Sequence, residues 1–163
     1  MSELQTVYLE TTIPSYLTSR PARDLILAGE QLLTHQWWDD RRQGFHLCVS
    51  ELVFKEVARG DPELARTRLS LISDLKVLAA DSEVDRLASV FMRSGLIPKK
   101  AVSDAVHVAI SCRHEVDILL TWNCRHIANA QILRQLSALV ERNGYRLPVV
   151  CTPIELMGGY END

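Results

Sequence analysis

Four side chains carry oxygen at places where a strand is predicted to end or a helix to begin: Glu10, Glu56, Asp104 and Asn123. Glu10 follows the β-favouring run Thr6 to Leu9. Glu56 lies about one and a half turns into the helix that follows the strand Phe45 to Val49. Asp104 opens the helix that precedes the apolar strand Val116 to Leu120, and Thr121 and Asn123 come directly after that strand. In an open parallel sheet, ligands bind outside the carboxyl ends of the strands, so these residues are expected to share one edge. Carboxylates gathered there repel one another unless protons or a cation neutralise them. Hard oxygen donors suit Mg²⁺ or Mn²⁺, which keep water ligands and bind phosphate oxygens. Such an ion activates water and stabilises charge on a phosphodiester, so the chemistry indicated is phosphodiester hydrolysis.

Plainer readings stand beside each residue. Glu10 can be a solvated charge at a strand end, and Glu56 an exposed helix residue. Asp104 can be a first-turn charge favoured by the helix dipole, and Asn123 a turn former. Glu51, in the first turn after Ser50, is the rival of Glu56 and reads as a cap charge. Asp117 precedes its strand and so falls at the opposite edge, where its role is structural. His107 lies three residues after Asp104 on the same helix face, where it can support the site or simply pack.

The elements that would position these groups follow from periodicity. Thr12 reads as the cap of a short helix with Pro14 in its first turn. From Asp24 to Arg42 the spacing of Leu25, Ile26, Leu32, Leu33 and Trp37 predicts an amphipathic helix with those residues facing the core. Ser50, Asp61 and Asp81 read as N-caps of further helices, and Lys76 to Leu78 and Leu147 to Cys151 as strands. Val102 to Ile110 is a helix of small residues, and Ile132 to Val140 is amphipathic. Strands alternate with helices throughout, which predicts an α/β fold: a three-layer α/β/α sandwich with a mostly parallel sheet of about five strands. The expected organisation is one domain over residues 1–157 and a flexible tail over 158–163.

The chain has 163 residues, 47% hydrophobic and 24% charged, which suits one ordinary domain and excludes general disorder. No apolar run approaches the roughly 18 residues of a membrane span. The first residues lack a basic start followed by a long apolar stretch, so a cytoplasmic location is expected. The net charge of −3 argues against a protein that coats nucleic acid by bulk electrostatics. Arg nevertheless supplies 14 of the 18 basic residues, and its planar fork suits phosphate. A divalent cation on the acidic edge would cancel part of the acidity and leave Arg125, with Arg20 and Arg23, free to hold phosphate. On that reading binding of a phosphodiester substrate is weak without the metal. The cysteines, Cys48, Cys112, Cys124 and Cys151, contain no CxxC pair, which argues against a zinc ribbon. Cys48 and Cys151 read as buried apolar residues.

These motifs resemble the PIN-domain family, in particular the VapC-like toxin ribonucleases of toxin–antitoxin systems. The carriers are Val7-Tyr8-Leu9-Glu10-Thr11-Thr12, Ser50 to Glu56, Ser103-Asp104-Ala105-Val106-His107-Val108-Ala109 and Leu119-Leu120-Thr121-Trp122-Asn123, in that order. The chain departs from the family pattern twice, with Glu10 and Asn123 where the pattern has Asp. Asn keeps a carbonyl oxygen but loses a charge, which lowers metal affinity.

The resemblance implies a Mg²⁺- or Mn²⁺-dependent endoribonuclease acting on RNA, with an antitoxin partner, a homodimer and no membrane association. Glu10, Asp104 and Asn123 are then the metal ligands, and Glu56 orients the attacking water. Thr11 and Thr121 support them by hydrogen bonds, and Arg125 and His126 contact RNA phosphate. Trp37 and Trp38, on one helix, read as packing residues or as a partner surface. Two other readings remain. One is a catalytically weak or inactive PIN-like module that binds RNA or a protein. The other is a cysteine hydrolase using Cys124 and His126, which, two residues apart, do not face each other on a helix.

Overall fold

The computed structural model describes residues 3–158. Beyond Gly158, the tail expected over 158–163 lies outside the described residues.

Among the described residues, five strands form one sheet: β1 (Thr6–Leu9), β2 (His46–Ser50), β3 (Lys76–Leu78), β4 (Ile118–Leu120) and β5 (Val149–Cys151). Their order is β3-β2-β1-β4-β5 and every pairing is parallel. The register sets Leu9 beside Leu120 and Tyr8 beside Cys48. The central strand is fully buried at Val7, Tyr8 and Leu9, as a parallel strand covered on both faces must be.

Among the described residues, seven α-helices connect the strands: α1 (Thr12–Thr18), α2 (Leu25–Asp40), α3 (Glu51–Val57), α4 (Pro62–Ile72), α5 (Ser82–Arg93), α6 (Val102–Arg113) and α7 (Ala130–Arg142). Right-handed crossovers put α1 to α4 on one face, because β1→β2→β3 runs in one direction along the sheet. The return from β3 to β4 and β5 puts α5 to α7 on the other face. The packing agrees, with α1 on α2 and α4, α3 on α4, and α5 on α6. The three-layer α/β architecture expected from the sequence is therefore present. The direction of winding reverses between β1 and β4, which makes their carboxyl ends the switch point at which such sheets open a crevice.

Three of the caps form as the sequence indicates. Ser50, Asp61 and Asp81 accept backbone N–H groups in the first turns of α3, α4 and α5. The cap of α1 differs. Thr12 lies inside the helix, and its N–H donates to Glu10 Oε2 at 2.7 Å, so the strand-end carboxylate does the capping.

The inward face of α2 also differs from expectation. Leu25, Ile26 and Leu32 are 87%, 75% and 59% exposed, whereas Gln31, Thr34 and Trp37 are buried. The polar pair is inside because it has partners there. Gln31 accepts from Ala22 N at 2.9 Å and donates to Arg20 O at 3.1 Å, closing the connection from α1. Thr34 Oγ1 accepts from the Trp122 indole at 2.7 Å. Trp37 stacks on Phe45 inside the core, which excludes it as a surface anchor. Trp38 is half-buried beneath the Arg42 guanidinium. No helix among the described residues is long and apolar enough to cross a membrane.

This arrangement predicts opposite outcomes for two apolar positions on one helix. Leu32→Ser should change stability by less than about 0.5 kcal/mol, because its side chain stays in water in both states. Trp37→Ala should cost about 3–5 kcal/mol through the cavity it leaves. Urea denaturation of the two variants checks both values.

Candidate functional site

The predicted residues do come to one edge. Glu10 leaves the end of β1, and its N–H extends the ladder to Leu120 O at 3.1 Å. The carboxylate is only 4% exposed. A charge so deep needs full hydrogen bonding, and three donors supply it. Oε1 accepts from the Thr121 hydroxyl at 2.7 Å and the Thr12 hydroxyl at 3.0 Å, and Oε2 accepts from Thr12 N. The two hydroxyls are themselves acceptors for the loop after β4. Trp122 N donates to Thr12 Oγ1 and Asn123 N to Thr121 Oγ1, both at 2.9 Å. Glu10 thus locks the start of α1 to the loop that carries Asn123.

Asn123 continues this web. Its Oδ1 accepts from His126 N at 3.0 Å and its main-chain oxygen accepts from Ala128 N at 2.8 Å, so it shapes the turn. That turn aims the His126 ring at Asp104, with Nδ1 2.8 Å from Oδ2. Asp104 and His126 are each about one-fifth exposed, at 20% and 19%. Asp104 sits in the first turn of α6, where the dipole favours its charge.

Glu56 holds the third carboxylate. Its Oε1 accepts from the Thr11 hydroxyl at 2.8 Å and lies 2.6 Å from His107 Nε2. Glu56 stands on α3 and His107 on α6, so this pair joins the two helical layers over the end of the sheet. Burial raises the Glu56 pKa, but the hydrogen bonds from His107 and the Thr11 hydroxyl, with the Arg59 charge, outweigh it and hold the carboxyl below its usual value. The other ring nitrogen, Nδ1, is 2.7 Å from Tyr8 Oη, which is 2.8 Å from Ser50 Oγ. Burial drives the Tyr8 phenol far above its ordinary range, so it remains protonated. His107 is therefore a buried link to Glu56 as well as a packed ring. Its position one turn after Asp104 is the sequence signal for that link, and Tyr8 offered no signal beyond its place in a buried strand.

These partners bear on metal binding. The oxygens of Glu10 and the Oδ1 of Asn123 are occupied by internal donors, as are Oε1 of Glu56 and Oδ2 of Asp104. Among the described residues, no three His, Cys, Asp or Glu side chains gather as a metal-holding group. The carboxylate oxygens left without a hydrogen-bond donor among the described residues are Oε2 of Glu56 and Oδ1 of Asp104. Since Mg²⁺ is commonly held by one or two carboxylates together with water and substrate phosphate, Asp104 retains an atom suited to it.

The remaining predicted residues separate clearly. Arg125 is exposed beside the site, Thr11 and Thr121 hold Glu56 and Glu10, and Glu51 is exposed in the first turn of α3. Asp117 lies at the amino edge, accepting from Thr6 N at 2.8 Å. Cys124 is exposed, but its thiol pKa is raised by partial burial and by Glu30 and Glu155. With His126 turned to Asp104 and the Cys124 thiol kept protonated, the cysteine-hydrolase reading fails. Cys48 and Cys151 are buried, as expected, and so is Cys112. The Tyr16 and Trp122 rings stack near the loop at 6.1 Å and 13°, a half-buried aromatic pair that periodicity could not bring together.

No family model and no curated protein matches the sequence. Among solved structures, a chain of the crystal structure of VapBC2 from Rickettsia felis bound to a DNA fragment from their promoter is similar, with a TM-score of 0.57 and 12% identity. The match covers 91% of this chain and 98% of that one. At this identity the likeness concerns the fold alone, and it agrees with the α/β architecture expected from the sequence.

Two outcomes follow from the geometry. Glu56 has a lowered pKa in the folded state, so the unfolded chain binds its proton more readily. Its contribution to stability is therefore present above the usual value of 4.5 and lost as pH falls through the lower folded value. Thermal melts should show wild type more stable than Glu56→Gln near neutrality, with the gap closing below pH 4.5. Glu10→Gln turns one acceptor oxygen into a donor facing the Thr12 and Thr121 donors and should cost about 1–3 kcal/mol, read by urea denaturation.

Proposed function

We propose that the chain is a divalent-metal-dependent endoribonuclease of the VapC-like kind, hydrolysing phosphodiester bonds in RNA. The observation that carries this reading is that Glu10, Glu56 and Asp104 come from three separate elements to the switch-point edge of the sheet, Glu10 and Asp104 joined through Thr121, Asn123 and His126, and Glu56 held separately by Thr11 and His107.

Mg²⁺ or Mn²⁺ would be held through Asp104. Glu10 and Asn123 would join it where their internal donors release them. Bound there, such an ion supplies positive charge to the phosphate oxygens and acidifies water. The chain's own groups do the rest. Glu56, kept ionised by Thr11 and His107, presents its free Oε2 to orient an attacking water. Arg125, exposed at the rim, binds phosphate, and His126 contacts it from the same turn. Glu10, through Thr12 and Thr121, keeps that turn in register with α1. An antitoxin-like protein partner, a homodimer and a cytoplasmic location belong to the same proposal. The similarity to a VapBC2 chain supports the first of these.

A second reading has its own support. The oxygens of Glu10 and Asn123 are engaged internally, which suits a catalytically weak or inactive module that binds RNA or a protein without cutting it.

Incubation with single-stranded RNA separates the two. Cleavage should require Mg²⁺ or Mn²⁺ and stop with EDTA. Asp104→Asn should lower it by about a hundredfold or more, the scale of a few kcal/mol of transition-state stabilisation. Binding without cleavage, unchanged in Asp104→Asn, would refute the enzyme and establish the module.

A further inference from the structure

The buried groups behind Glu56 form a chain whose direction can be read from donors and acceptors. Val53 N–H can only donate, and Ser50 Oγ accepts it at 3.5 Å as the cap of α3. Ser50 is fully buried, and Tyr8 Oη, at 2.8 Å, is the remaining partner for its hydroxyl proton among the described residues. Tyr8 must then pass its own proton to His107 Nδ1 at 2.7 Å. Nδ1 is thereby an acceptor, which leaves the ring proton on Nε2, facing Glu56 Oε1 at 2.6 Å.

The opposite direction would set a bare Nε2 lone pair against a carboxylate oxygen. A doubly protonated ring would force the Tyr8 proton toward Ser50 and leave the Ser50 hydroxyl proton buried with no acceptor. The one-way arrangement satisfies every group, and hydrogen bonds aligned in one sense strengthen one another. The Thr11 hydroxyl closes the chain from the other side, donating to the same Oε1.

We propose that His107 is a positioning residue for Glu56, held as the neutral Nε2–H tautomer by the Ser50–Tyr8 chain. It pins Oε1 and leaves Oε2 to face the water. The chain begins and ends on α3, from its cap at Ser50 to Glu56 six residues later, so the helix that carries the carboxylate also fixes the tautomer of the ring that aims it. The raised pKa of the Tyr8 phenol is consistent with a permanent donor at that point. This role rests on the nuclease reading of Glu56.

The test uses the full chain, labelled with ¹⁵N at histidine, and long-range ¹H–¹⁵N correlation NMR at neutral pH. His107, assigned by the loss of its signals in His107→Gln, should show a protonated Nε2 and an unprotonated Nδ1, and Tyr8→Phe should erase that preference. An imidazolium or an Nδ1–H tautomer would overturn the proposal. In RNA cleavage, His107→Leu should lower kcat about a hundredfold with KM unchanged. His107→Gln, whose amide can still donate to Glu56, should retain activity within about tenfold of wild type. Equal losses in Gln and Leu would also overturn the positioning role. The failure of the nuclease reading looks different: the Nε2–H tautomer in a wild-type chain that cuts no RNA.

Discussion

A carboxylate taken out of water must find its hydrogen bonds inside the protein, and Glu10 sits where the sheet changes direction. The bonds that satisfy it organise the whole edge. Thr12 supplies an N–H and a hydroxyl, which starts α1 at that point. Thr121 supplies the third donor, which holds the end of β4 against the end of β1. Each threonine hydroxyl then accepts a loop N–H, so the turn carrying Asn123, Arg125 and His126 inherits its position from the same carboxylate. An Asp at this place is one methylene shorter and would reach less far back toward Thr12 N and across to Thr121. The longer Glu allows the strand end to act as a helix cap.

The other two carboxylates are each matched with an imidazole, Glu56 with His107 in the interior and Asp104 with His126 nearer to solvent. This hydrogen bonding, together with the donors to Glu10, satisfies the oxygens of three acidic side chains that share one end of a sheet. It also gives the mild net acidity of the chain a location. Part of it is concentrated at this edge, where internal hydrogen bonds hold it, while Arg125 stands exposed at the rim. The cation proposed for this edge would have to compete with internal donors for some of the oxygens, and Oδ1 of Asp104 would meet it with the least rearrangement.

Much of this was legible in the chain itself. The caps at Ser50, Asp61 and Asp81, the apolar strands and the alternation of strand with helix are local signals, set by one residue and its near neighbours. The placement of Glu10, Glu56, Asp104 and Asn123 at one edge followed from those elements and from the rule for parallel sheets. The face of α2 was not legible. Trp37 is inside as its spacing indicates, but Gln31 and Thr34 share its face in place of Leu25, Ile26 and Leu32, and periodicity cannot rank the two stripes. The choice was made by Ala22, Arg20 and Trp122, whose polar groups needed Gln31 and Thr34 inside.

The sequence by itself therefore determined the elements, their order, the parallel sheet and the set of oxygens that meet at its carboxyl end, because those depend on local propensity and on the handedness of crossovers. Only the tertiary structure decided what each oxygen does there. Glu10 became a strand-to-helix lock and His107 the link from Tyr8 to Glu56. The distant partners in these two roles lie 42 to 111 residues away along the chain, Tyr8 with Ser50 and Thr121 with Glu10 being the limits among them. A buried polar atom takes whichever partner the fold brings within about 3 Å, and no local pattern encodes that meeting.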